Sequence, residues 1–296
     1  MSTRRYIAEQ VLSHLKNSSV RQAAVLLRDQ LIPVVPDADG FVDMGPLLEH
    51  YLISEAQWQP MESVGMLAGA PSGWHAVVRR GSDPYTQRYT LAHELGHWLL
   101  FHRCGIDSEE AKRLGLYHEV EELCDVFAAL TLVTREAVQR LLEGQGTVTF
   151  ATLATCARKA KVPIRAVLYR LATFPSGFRT SGRVLVFRAD GISNKLVLAA
   201  SMTILPEWIC LPKESTAEGL GLRHLLEEWA GFTPGREYLL REDATLFEIP
   251  ADEGSERAIA TSTQVRYRLF RSADGVFIVG LLPDSDRSDL LGPTNT

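Results

Sequence analysis

His93-Glu94-Leu95-Gly96-His97 places two imidazoles and a carboxylate within one short segment. In a helix, residues four apart are separated by about 400° of turn, so both imidazoles leave the same face. Two neutral ring nitrogens on one face can hold one Zn²⁺, which takes nitrogen ligands in a tetrahedral site. Glu94, on the adjoining flank, can reach a water on that metal and take its proton as general base. A catalytic zinc site also needs a third protein ligand and an open position for water. Glu121-Glu122-Leu123-Cys124-Asp125 offers the candidates. Glu121 and Asp125 again share a helix face, so Glu121 can ligate while Asp125 accepts the outer N–H of a ligand histidine. Glu119 and Glu122 compete with Glu121 for the ligand role. Taken alone, such an acidic run is a solvated helix start favoured by the helix dipole. Pairing with the histidine motif is what makes it a ligand source. One carboxylate among nitrogen donors favours Zn²⁺ over Mg²⁺ or Ca²⁺, with Mn²⁺ the alternative where it is abundant.

Further residues could serve such a site. Tyr117 and His118 lie just before Glu121 and could donate to a tetrahedral oxyanion. Trp74-His75-Ala76-Val77-Val78-Arg79 reads as a strand, and an edge there, with Trp74, Val77 and Arg79, would hold a substrate by β-augmentation. An ordinary sheet strand explains the same pattern. His102 is off the ligand face and is expected to cap the helix end, and His75 to be structural. Residues 107–125 hold seven acids against Lys112 and Arg113, which would give the cleft a negative rim.

The elements that must carry these residues are legible in part. Apolar spacing from Tyr6 to Gln30 gives one or two amphipathic helices, and Pro33, Pro36, Asp37, Asp39 and Gly40 end them. The signal from Pro46 to Gly73 is weak. After the turn cluster Gly81-Ser82-Asp83-Pro84, helices are expected over Thr86–His102, Val120–Glu143 and Phe150–Thr173, the last split at Pro163. Pro175-Ser176-Gly177 marks a boundary. Strands are expected beyond it over Arg183–Arg188, Lys195–Ala200, Glu237–Leu240, Thr245–Ile249, Val265–Phe270 and Val276–Leu282. A helix over Leu220–Ala230 sits among them and a polar tail follows Pro283.

The 296 residues include 31 Lys+Arg and 36 Asp+Glu, a net charge of −5, with 46% hydrophobic residues. That composition builds a core and argues against a surface basic enough to bind nucleic acid throughout. The four scattered cysteines read as reduced thiols. The N-terminus has no unbroken apolar stretch of signal-peptide kind, and no run approaches the roughly 18 apolar residues of a membrane span. A cytoplasmic protein is expected.

Two motifs together resemble the ImmA/IrrE metallopeptidases. Gln87-Arg88-Tyr89-Thr90-Leu91-Ala92-His93-Glu94-Leu95-Gly96-His97 is similar to their signature. Glu121-Glu122-Leu123-Cys124-Asp125-Val126-Phe127-Ala128-Ala129 resembles their second motif. The resemblance implies Glu121 as third ligand and a zincin-like fold for the metallopeptidase domain. Phe150 to Leu171 looks like the helix-turn-helix-like segment that follows that core. The strand-rich end would fit the GAF-like domain of the IrrE (PprI)-like branch known from Deinococcus. The expected class is therefore α+β, divided into residues 1–145 (metallopeptidase), 146–174 (helix-turn-helix-like), 178–284 (GAF-like α+β) and 285–296 (flexible tail). One departure is clear: the family continues to Leu-Met-Pro where this chain has Leu132-Val133-Thr134.

What the resemblance implies of function is an intracellular peptidase that cleaves a helix-turn-helix transcriptional repressor and so induces a stress response, in that branch to radiation and DNA damage. A GAF-like domain would also imply a small-molecule ligand, which no glycine-rich phosphate loop or aromatic cluster identifies. The rival reading is a DNA-binding regulator with a sensory or structural metal. Arg158, Lys159, Lys161, Arg165 and Arg170 form a basic run that could contact phosphates. A solvated basic face is the preferred account of that run.

Overall fold

The structure is a computed structural model. It describes residues 3–17, 19–31, 41–58, 61, 63–143, 148–173, 183–189, 196–198, 209–210, 225, 237–248, 257–272 and 275–282. The chain divides into two compact units, Met1–Leu141 with Leu153–Thr173, and Leu142–Thr152 with Phe174–Thr296.

The first unit opens with α1 (Thr3–Lys16), α2 (Val20–Arg28) and α3 (Met44–His50). The apolar positions that predict α2, Val20, Ala23, Ala24 and Leu27, are its buried face. A three-stranded sheet follows from β1 (Ile53–Trp58), β2 (Gly65–Ala70) and β3 (Gly73–Arg79), in the order β1-β3-β2. β1 runs parallel to β3 and β2 antiparallel to it. This corrects the expectation that Trp74–Arg79 offers a free edge. Trp74, Val77 and Arg79 belong to the central strand, whose backbone is paired on both sides, with Val77 facing Ala56 of β1 and Met66 of β2. Ala76, Val77 and Val78 are buried, as a central strand requires. The edge next to the metal helix is β2, in the stretch where the sequence signal is weak.

α4 (Pro84–Leu99) packs on β2 and β3. Asp83 caps it, its carboxylate accepting from the Tyr85 and Thr86 amides at 3.0 Å each, and Pro84 begins the helix, where a missing N–H costs nothing. A π-helical turn, Leu100–Cys104, extends it to Gly105, which has φ +71°. α5 (Ser108–Arg113) and α6 (Tyr117–Leu132) come next. The helix expected over Val120–Glu143 is two. α6 ends where Val133 turns extended to bridge Phe41, and Thr134 caps α7 (Arg135–Glu143) by accepting the Ala137 amide at 3.2 Å. The Leu132-Val133-Thr134 departure falls at this break.

α8 (Phe150–Ala160) and α9 (Ile164–Ala172) are separated at Pro163, as expected. Lys161 takes φ +52° in the turn between them. α9 packs against α6.

The second unit holds a six-stranded antiparallel sheet from β4 (Arg183–Ala189), β5 (Leu196–Leu198), β6 (Ile209–Cys210), β7 (Glu237–Glu248), β8 (Arg257–Ser272) and β9 (Gly275–Leu282). Their order is β5-β4-β9-β8-β7-β6. The two strands expected over Glu237–Leu240 and Thr245–Ile249 are one, because Arg241 to Ala244 continue the pairing with β8. Val184, Val186, Tyr267 and Ile278 are among its buried residues. The Pro175-Ser176-Gly177 boundary, the tail from Pro283 and, except for Leu225, the helix expected over Leu220–Ala230 lie outside the described residues.

Candidate metal centre

α4 and α6 cross closely because Gly96 has no side chain. A Cβ there would stand 3.0 Å from Cδ1 of Phe127 and 3.3 Å from Sγ of Cys124. The close crossing brings His93 and His97 of α4 against Glu121 and Asp125 of α6. His93 Nε2 lies 3.1 Å from His97 Nε2 and 3.4 Å from one Glu121 oxygen, and His97 Nε2 lies 3.6 Å from the other. The three ligand atoms lie within 4.8 Å of one another.

These spacings suit a metal. Tetrahedral Zn–N bonds of about 2.0–2.1 Å separate two ligand atoms by about 3.3 Å. Two imidazole nitrogens 3.1 Å apart can share a proton, or can turn both lone pairs to one cation when their protons sit on the outer nitrogens. The residues present fit a divalent ion with mixed nitrogen and oxygen ligands.

Asp125 stands behind the cluster. One of its oxygens is 3.1 Å from His93 Nδ1, which assigns the proton to Nδ1 and leaves Nε2 for the metal. Its backbone carbonyl accepts the Tyr89 hydroxyl at 2.7 Å, and its second carboxylate oxygen accepts the Tyr169 hydroxyl at 3.5 Å. Burial works against the Asp125 charge. Arg165 and the His93 hydrogen bond outweigh it and hold its pKa below the ordinary carboxylate value.

Without an ion, charge in the cluster is carried by a proton. Burial alone would lower the His93 pKa, but hydrogen bonds with Asp125 and Glu121 push it up to about 10. Glu121, opposed by burial but bonded to both histidines, is held far below the usual range. Glu94 is 5% exposed, and burial raises its pKa, with His93 and His97 pulling the other way. Its position depends on a glycine in β2. A Cβ on Gly65 would touch the Thr90 methyl and stand 2.9 Å from Oε1 of Glu94. No sequence pattern marks Gly65, and only the packing of β2 on α4 identifies it.

The remaining expected residues divide. Tyr117 is one turn before Glu121, and its phenol lies near the Glu121 carboxylate, whose charge, then burial, raises the phenol pKa. His118 is exposed beside the Tyr117 ring, centroids 5.7 Å apart. Glu119 and Glu122 lie outside the ligand cluster. His102 stacks on Trp98 at 4.1 Å and meets the Trp74 ring at 5.6 Å, so it packs among aromatic rings in the π-helical turn. His75 is held between the hydroxyls of Ser54 and Ser72, each at 3.1 Å. Lys112 pairs with Glu109 and Arg113 with Glu110, so α5 neutralises two of the seven acids itself.

Residues 76–172 match the family described as the IrrE N-terminal-like domain. The Radiation response metalloprotease IrrE of Deinococcus radiodurans is 34% identical over 100 residues, covering 32% of this chain and 30% of that protein. The protein of the same name from Deinococcus deserti is 37% identical over 116 residues, covering 37% of this chain and 40% of the other. The chain thus aligns with less than half of the length of these curated relatives. A solved Mycobacterium tuberculosis transcriptional regulator superposes over 94% of this chain and 81% of its own, with 13% identity and a TM-score of 0.48.

Proposed function

We propose that this chain, an ImmA/IrrE-type protein by the domain at residues 76–172, is a metal-dependent endopeptidase. The observation that carries the reading is the convergence of His93, His97 and Glu121 within 4.8 Å, with the buried Glu94 carboxylate on the same helix. His93, His97 and Glu121 would hold the ion, and the nitrogen-rich donor set favours Zn²⁺ over Mn²⁺. A bound ion supplies Lewis-acid polarisation of the attacking water and of the scissile carbonyl. Glu94 takes the proton of that water and passes it to the leaving amine, a task suited to a carboxylate whose pKa burial has raised. Tyr117, beside Glu121, is the proposed donor to the oxyanion, and His118 is the other candidate. β2 runs along α4 at the edge of the sheet and would receive the substrate as an added strand.

The substrate class we propose is a helix-turn-helix transcriptional repressor, cleaved in a cytoplasmic response to radiation or other DNA damage. The support is the resemblance of the two motifs and the names of the Deinococcus proteins. The order β5-β4-β9-β8-β7-β6, a meander rejoining the first hairpin, supports a GAF-like second unit. The test is to incubate metal-loaded wild-type and E94Q protein with repressors of this class and identify fragments by mass spectrometry. One cut, made only by the wild type, is expected. Casein cut as fast as any repressor contradicts the substrate assignment, and near-normal turnover by E94Q contradicts the role of Glu94.

A further inference from the structure

Asp125 is braced from a third helix. Tyr169 and Arg165 are four residues apart on α9 and share a face; α9 packs on α6, and Arg165 reaches Tyr89 of α4. The Tyr169 hydroxyl, on a ring 6% exposed, donates to the Asp125 oxygen that His93 does not use. The Arg165 guanidinium lies 4.6 Å over the ring of Tyr89, whose hydroxyl donates to the Asp125 carbonyl. Apart from His93 itself, the groups bonded to Asp125 therefore either belong to α9 or are covered by it. A carboxylate bonded through one oxygen can still turn about its Cβ–Cγ bond. Bonded through both, beside a fixed cation, it holds the imidazole in one tautomer and one orientation.

We propose that Arg165 and Tyr169 are positioning residues of the metal centre: they lock the Asp125 carboxylate that orients His93. This makes α9 a brace for the peptidase site and takes it out of the role of nucleic-acid reader. The basic run divides accordingly, with Arg158, Lys159 and Lys161 exposed and Arg165 turned onto Tyr89. The inference rests on the metallopeptidase reading.

Zn²⁺ affinity, measured by competition with a chromophoric chelator, tests it without a substrate. Y169F removes one hydroxyl and keeps the ring, and R165M removes the charge and keeps most of the stem. Each is expected to weaken Zn²⁺ binding by about 3- to 10-fold, less than the roughly 10- to 100-fold expected for D125N. Added to D125N, neither should weaken binding further, because the group they act through is already altered. R165K should recover part of the R165M loss. If R165M fails to fold, Y169F alone decides. Packing alone would lower the melting temperature of the metal-free chain at unchanged Zn²⁺ affinity, and that result overturns the inference. So does a Y169F effect that adds in full to D125N. A wild-type chain that takes up no Zn²⁺ defeats the site reading and the inference together. A wild type that binds Zn²⁺ while Y169F and R165M bind it equally well overturns the inference alone.

Discussion

Glu94 occupies space that Gly65 leaves open. G65A would press a methyl against Thr90 and the Glu94 carboxylate, and overpacking of this kind costs about 1–3 kcal/mol when nothing can yield. The expected result is lower cleavage at nearly full metal content, read by turnover and elemental analysis of the same preparation. E94Q keeps the shape and loses the base, so cleavage should fall by at least about 100-fold with metal retained. His93 adds a pH dependence. Its pKa in the metal-free chain is raised to about 10 from an ordinary 6.5. The stability it contributes there is complete below pH 6.5 and lost as pH rises through about 10. A metal must displace that proton, so affinity should climb by about one log unit per pH unit until the proton is gone. Chelator competition across neutral to mildly alkaline pH checks this, and a flat profile contradicts it.

At the scale of elements, the helix carrying His93 and His97 is the part most legible in the sequence, because the motif sets its face and the turn cluster Gly81-Ser82-Asp83-Pro84 sets its start. D83A should cost about 1 kcal/mol in thermal or urea unfolding, since two amides of the first turn lose their acceptor. The central strand was legible as an apolar run, but its place in the sheet was not. Edge or centre depends on partners, and β2 (Gly-Met-Leu-Ala-Gly-Ala) lacks the alternation and β-branched residues that announce a strand. The break between α6 and α7 was hidden for a similar reason. Thr134 reads as a helix residue until its hydroxyl is seen to accept the Ala137 amide. Of the candidate site, the shared face of His93 and His97 follows from four-residue spacing, while the choice of Glu121 over Glu119 and Glu122 is what the family resemblance implies. The α9 residues follow from neither: sequence shows the charge of Arg165, and only the fold shows that it points at Tyr89.

For the molecule as a whole, a net charge of −5 favours encounter with a basic partner, as a DNA-binding repressor must be. The pairing of Glu109 and Glu110 with Lys112 and Arg113 weakens the local field near the cleft, so the salt dependence should be shallow. Cleavage should slow as ionic strength rises, and operator DNA should slow it more by covering the basic surface of the repressor. A rate indifferent to both, followed by gel densitometry, contradicts the proposed substrate. Among the described residues, no helix is long and apolar enough to cross a membrane.

The ligand assignment is tested most directly by elemental analysis of wild-type, E94Q and H93A protein purified side by side. The wild type and E94Q should each carry about one Zn²⁺ per chain, and H93A close to none. A fully loaded H93A chain would contradict the assignment of His93, His97 and Glu121 as the metal ligands.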